Sequence, residues 1–141
     1  MSKLDTLDPS FRVLVEQLVQ SAEGATDRQW VVTSCRRTMK EQKALYAQGR
    51  SRPGQVVTNA KPGSSPHNYG LAADLAPLKI GSSEIDWNAD RAIWEKMAAI
   101  AVEIGLVAGA NFKTILDFPH VESPKWREQR ALYNAGKIQV A

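Results

Sequence analysis

The sequence predicts one small α+β domain over residues 1–141, with an antiparallel or mixed sheet and helices packed mainly on one side. Three observations carry that reading. The 141 residues, 43% hydrophobic and 23% charged, are enough for one core and too few for two ordinary ones. Helical and strand-like segments run in the order helix, strand, helix, long loop, strand, helix, strands, helix, an order that suits α+β. There is no internal repeat and no low-complexity tract.

Asp8 followed by Pro9 reads as an N-cap with proline at the first helical position. Phe11, Leu14, Val15, Leu18 and Ala22 then share one face of a helix ending near Gly24. Trp30 to Thr33, aromatic and β-branched, reads as a buried strand. Thr38 and Glu41 stand at capping-box spacing and open a helix that stops at Gly49. From Arg50 to Asn68 the prolines, glycines and small polar residues predict an irregular loop of about 19 residues, a length that signals function or disorder.

Leu71 to Leu78 is apolar apart from Asp74, as expected of a central strand carrying one polar residue inward. A helix follows from about Asn88 to Ile104, with Ile93, Met97, Ile100, Ala101 and Ile104 on one face and Gly105 as its stop. Phe118 to Glu122 reads as a short strand, and Ser123-Pro124 repeats the cap-plus-proline signal before a basic helix to Gly136. The four tryptophans, Trp30, Trp87, Trp94 and Trp126, are expected in the core and on helix faces, with Trp87 and Tyr69 also candidates to line a cleft.

A net charge of +3 is too even for a disordered chain and too small for an obvious nucleic-acid binder. It is unevenly spread: residues 35–67 hold seven basic side chains and one acidic, residues 68–122 four basic and eight acidic. Met1 to Thr6 lead into no apolar stretch of signal-peptide length, and no run approaches a membrane span, so synthesis in the cytoplasm without stable membrane insertion is expected. The single cysteine, Cys35, excludes an internal disulfide framework and a thiolate-only zinc site, so a metal here needs His and carboxylate ligands. As a nucleophile Cys35 would need a histidine, and both histidines have better uses.

Those two histidines, His67 and His120, each have an aspartate nearby, Asp74 and Asp117, at the edges of predicted strands. Catalytic zinc commonly takes three His and carboxylate ligands and leaves a fourth position to water. His67, Asp74 and His120 supply that set, with Asp117 left over to take a proton from the water and deliver it to a leaving amine.

The wider pattern is more specific. Ser65 to Asp74 reads S-x-H-x-x-G-x-A-x-D, and Asp117-Phe118-Pro119-His120 supplies an acidic residue and His downstream. With Ser34 to Arg37, Glu41 to Tyr46 and Val57 to Gly63, the chain resembles the M15 zinc peptidases over roughly residues 30–122. That family includes D-Ala-D-Ala dipeptidases and carboxypeptidases and the L-alanyl-D-glutamate endopeptidases of phage lysis, and the phage branch is the most similar.

The resemblance implies a hedgehog/D-Ala-D-Ala peptidase-like fold, one catalytic Zn2+ on His67, Asp74 and His120, and Asp117 as general base and acid. It places Arg37 on the substrate, where a guanidinium fork suits a carboxylate or a developing oxyanion. Ser65 matches the family's serine, which bonds the substrate or supports the ligands. Gly70 lets the chain turn between two ligands, and Ala72 keeps the strand thin beside the metal.

The implied protein is a monomeric phage endolysin that hydrolyses the L-alanyl-D-glutamate bond of peptidoglycan stem peptides, leaves the host cytoplasm through a partner such as a holin, and acts on the wall in the periplasm. No separate wall-binding domain is expected. The basic stretch 35–67 then reads as a rim facing the acidic wall. Three departures, Val107 to Phe112 in place of a tryptophan-glycine-rich stretch, Val121 in place of an aromatic and Arg36 in place of another, spare every ligand but leave open which bond is cut. The alternatives are a D,D-carboxypeptidase or dipeptidase on the same site, and a non-catalytic wall-binding module with structural zinc.

Overall fold

In the computed structural model, which describes residues 2–141, Asp8 caps the first helix with a carboxylate that accepts from the N–H groups of Ser10 and Phe11. This helix, α1 (Pro9–Thr26), buries Phe11, Val15, Leu18 and Ala22 on the face that the sequence marked. It runs past Gly24, and the left-handed residue that ends it is Asp27, at φ 54°. Aspartate tolerates that conformation better than most residues. The Thr38–Glu41 capping box opens α2 (Met39–Ala47) as expected.

The sheet has four strands, β1 (Trp30–Ser34), β2 (Ala72–Pro77), β3 (Val107–Ala108) and β4 (His120–Glu122), in the order β1-β2-β4-β3 with every neighbouring pair antiparallel. The expectation that β1 is a buried strand needs correction: only Trp30 is buried, because β1 lies at the edge of the sheet. β2 is central. Successive strand residues face opposite ways, so Ala73, Leu75 and Val121 join the buried cluster while Ala72, Asp74, His120 and Glu122 share the other face.

The third helix, α3 (Arg91–Glu103), buries Trp94, Met97, Ala98 and Ala101 and packs against α1. It begins after Asp90, later than the sequence suggested, and Gly105 at φ 95° follows it. The last helix, α4 (Trp126–Asn134), also starts late. Ser123 is not its N-cap; the hydroxyl accepts from the N–H of Lys125, and so shapes the turn before the helix. α4 packs on the turn that carries His67.

The long loop is ordered by its own hydrogen bonds. The Gln48 side chain donates to the Gln55 carbonyl, that of Gln42 to the Ala60 carbonyl, and Arg50 to the carbonyls of Tyr46 and Thr58. Its end, Pro66–Tyr69, is one turn of 3-10 helix rather than irregular chain. Among the described residues no helix is long and apolar enough to cross a membrane.

Candidate metal centre

Register places two of the three candidate ligands. Asp74 and His120 are direct partners across the β2–β4 ladder, where facing side chains stand close together. His120 Nδ1 lies 3.3 Å from Asp74 Oδ1.

The third candidate ligand, His67, arrives on the 3-10 turn. Ser65 caps that turn, its hydroxyl accepting from the His67 N–H, while the Asn68 side chain accepts from the N–H groups of Ser65 and Gly63. Gly70 ends it at φ 68°, and a Cβ there would stand 2.8 Å from the Arg36 guanidinium and 3.0 Å from backbone atoms of Thr6 and Asp8. Only glycine meets both demands. His67 Nε2 thereby comes to 3.7 Å from Asp74 Oδ1.

These three residues form a group whose candidate ligand atoms all lie within 4.8 Å of one another. Four ligands at about 2.0–2.2 Å around a tetrahedral zinc stand roughly 3.3–3.6 Å apart, so the two distances to Asp74 suit such an ion closely. The protonation pattern agrees. His67 Nδ1 is 2.7 Å from the Cys35 carbonyl, which can only accept, so Nδ1 carries the hydrogen and Nε2 presents a lone pair. Asp74 Oδ1 is buried with no hydrogen-bond partner, the kind of orphan that a cation satisfies.

Without a cation the charges rearrange. Burial alone would push the His120 imidazole down, but the carboxylates of Asp74 and Glu122 beside its two ring nitrogens outweigh it and raise its pKa to about 9. Burial likewise pushes the Asp74 carboxyl up, and the two facing imidazoles hold it far below the usual carboxylate range instead. A proton on His120 thus occupies the place of the cation.

Asp117 lies at the solvent-facing side of the group. Its side chain reaches water, yet the protein packed around it pushes its carboxyl above the usual range, against the pull of His120. A carboxyl raised in this way holds a proton more readily than a free one, as a proton-transfer group requires. Gly109 makes the position possible. A Cβ there would overlap the Asp117 carbonyl oxygen and lie 3.0 Å from the Cβ atoms of Asp117 and His120. The segment 107–112, which departs from the family pattern, therefore keeps a glycine that the site requires, and its Phe112 ring packs on the His120 ring at 5.6 Å between centroids.

The two adjacent arginines do different work. Arg36 donates to the carbonyls of Thr6, Asn68 and Tyr69, and so ties the His67 turn to the N-terminal segment. Arg37 is half-buried, its guanidinium donating to Gln42 Oε1 at 2.9 Å and its backbone N–H to the His67 carbonyl. Arg50 is not free rim charge, since it lies over the Tyr46 ring and bonds Tyr46, Thr58 and Asn59. Burial pushes the Cys35 thiol up, away from nucleophilic use.

Tyr69 does not line a cleft: it is buried, its hydroxyl donates to the Gly63 carbonyl, and its ring lies against Trp126 and Tyr133 of α4. Trp87, expected in the core, is 57% exposed.

The sequence reading missed Glu122, Gly109, Asn68 and Gln42. Two signals were available. Glu122 follows His120 by two residues in a strand, hence on the same face, and Asn68 follows Ser65 at capping-box spacing.

Residues 58–123 match the D-alanyl-D-alanine carboxypeptidase family. The peptidoglycan L-alanyl-D-glutamate endopeptidase CwlK of Bacillus subtilis is 41% identical over 98 residues, 65% of this chain and 59% of that protein. The matched segment is similar to the peptidase M15 domain. Solved peptidase structures share its fold. The L-Ala D-Glu endopeptidase ChiX of Serratia marcescens superposes with a TM-score of 0.62 at 17% identity, covering 91% of this chain and 87% of that one. The vancomycin-resistance D,D-pentapeptidase VanY, solved with Zn(II), gives 0.58 at 17% identity over 92% and 79%. The motif residues Ser65, His67, Asp74, Asp117 and His120 all fall in the matched segment 58–123.

Proposed function

We propose that this protein is a zinc-dependent peptidoglycan peptidase that hydrolyses the L-alanyl-D-glutamate bond of stem peptides, working as a phage endolysin. The observation that carries the chemistry is the convergence of His67 Nε2 and His120 Nδ1 on Asp74 Oδ1, with Asp117 beside them. The choice of bond follows from the 41% identity to CwlK, and the phage setting from the motif resemblance.

Zinc held by His67, Asp74 and His120 would lower the pKa of a coordinated water to about 7 and polarise the scissile carbonyl. Asp117 takes the proton as the water's oxygen bonds to the alanyl carbonyl carbon, and gives it to the glutamate nitrogen as the C–N bond breaks. Arg37, held by Gln42, keeps N–H groups for a substrate carboxylate or the oxygen that gains charge. Ser65 contributes by fixing the backbone of His67.

The family match itself favours a second reading, a D,D-carboxypeptidase on the same site. Purified sacculi digested with wild-type protein and with Asp117→Ala separate the possibilities. The expected result is chelator-sensitive clearing, fragments carrying a new amino group on D-glutamate, and a rate lower by about 10²–10⁴-fold in the variant, which still binds zinc. Release of D-alanine alone selects the second reading. Full activity of Asp117→Ala overturns the assigned role, and an absence of any chelator-sensitive product, whether muropeptide fragment or D-alanine, makes the protein a binding module.

A further inference from the structure

We propose that Glu122 is a positioning residue for the metal, acting through His120. Its Oε1 lies 2.7 Å from His120 Nε2, and both side chains are only 8% exposed. A carboxylate accepts, so Nε2 keeps its hydrogen, and Nδ1 beside Asp74 is the nitrogen that gives up its proton and presents a lone pair when a cation binds. The proposal rests on the metal reading of this site.

Three features show a built arrangement. His120 and Glu122 sit two apart on β4, so the strand itself aims both at one face. Ala72 is the register partner of Glu122 on β2, and it presents only a methyl group on that face. Finally, among the described residues no lysine or arginine pairs with Glu122; its ion-pair partner is His120. A buried carboxylate without a fixed cation is costly, and packing alone would favour an apolar residue there. A carboxylate behind a ligating imidazole does two things. It fixes the ring's orientation and tautomer, and it makes the ligating nitrogen a stronger donor. His67 lacks this support, since a neutral carbonyl, that of Cys35, stands behind it.

Zinc affinity measured by competition with a chromophoric chelator tests this without any substrate. Wild type, Glu122→Ala, Glu122→Gln and His67→Ala are compared, with circular dichroism to confirm folding. Glu122→Ala should bind zinc about 10–100-fold more weakly than wild type. Glu122→Gln, which still accepts from Nε2–H, should recover part of the loss. The visible spectrum of the Co2+-loaded protein should shift in Glu122→Ala, a change that a purely structural role would not produce. If Glu122→Ala fails to fold, Glu122→Gln carries the test, with a loss of at least severalfold expected. Zinc affinity within twofold of wild type in every folded Glu122 variant overturns the proposal. Wild-type protein that binds no more tightly than His67→Ala overturns the metal reading itself, so the two failures are distinct.

Discussion

The two histidines of the site are held by different physics. His120 is set by a ladder: it faces Asp74 across two strands, and the same strand delivers Glu122. His67 is set by a web, a single 3-10 turn fastened by Ser65, Asn68, Arg36 and the Cys35 carbonyl and covered by Trp126 and Tyr133 of α4. A ladder needs few residues but tolerates no backbone shift. A web spreads the work, so that losing one strand of it costs little.

The largest expected effect therefore comes from moving the ladder's backbone. Gly109→Ala places a Cβ against the Asp117 carbonyl oxygen, and relief requires segment 117–120 to move away. A displacement near 1 Å in a reacting group costs about 10²-fold in rate. The expectation is a loss of that order on sacculi in a folded protein whose His67 turn is intact. An unchanged rate would show that the segment has room to yield, and the ladder would be no stiffer than the web.

A second effect separates the histidines by charge. His120 in the metal-free protein holds its proton up to a pKa of about 9, so below that pH zinc must displace it. Apparent zinc affinity should rise by about tenfold per pH unit toward pH 9, with close to one proton released per ion at pH 7.5, as calorimetry in buffers of different ionisation enthalpy would show. The stability of the metal-free protein follows the same groups. His120 has its folded pKa raised, so its contribution is complete below the ordinary histidine pKa and is lost as pH rises through about 9. Asp74 has its folded pKa depressed, so its contribution is present above the ordinary carboxylate range and is lost as pH falls. Metal-free protein should melt highest between about pH 4 and 6.5. A melting temperature that is flat from pH 6 to 9 would remove His120 as the cation's stand-in.

The same division explains what the sequence disclosed. The motif from Ser65 to Asp74 and the Asp117–His120 pair named the three residues that come together as a candidate metal site, because metal chemistry restricts residue types and a local turn fixes their spacing. The helices α1 and α2 were legible from caps that act within four residues. What stayed hidden depends on contacts between distant segments. Arg36 binds the Thr6 carbonyl across thirty residues, and nothing local distinguishes it from Arg37. The requirement for Gly109 arises only where Asp117 folds back on it. The edge position of β1 follows from strand order, which hydrophobic patterning does not encode.

The smallest expected effect tests the web. The Ser65 hydroxyl is buried and engaged with the His67 N–H at 3.2 Å, so Ser65→Ala removes one cap from a turn that Asn68, Arg36 and Tyr69 still hold. The cost should be about 1 kcal/mol, the usual value of an N-cap. That corresponds to a melting temperature lower by roughly 3–4 °C in a chain of this size. Because Nε2 of His67 is set by the Cys35 carbonyl behind the ring, zinc affinity and the KM for a soluble muropeptide should stay within about twofold of wild type. A raised KM with an unchanged melting temperature would instead place the Ser65 hydroxyl on the substrate. A large loss of zinc affinity would mean that the turn depends on one bond after all, and the distinction between ladder and web would fail at its weaker end.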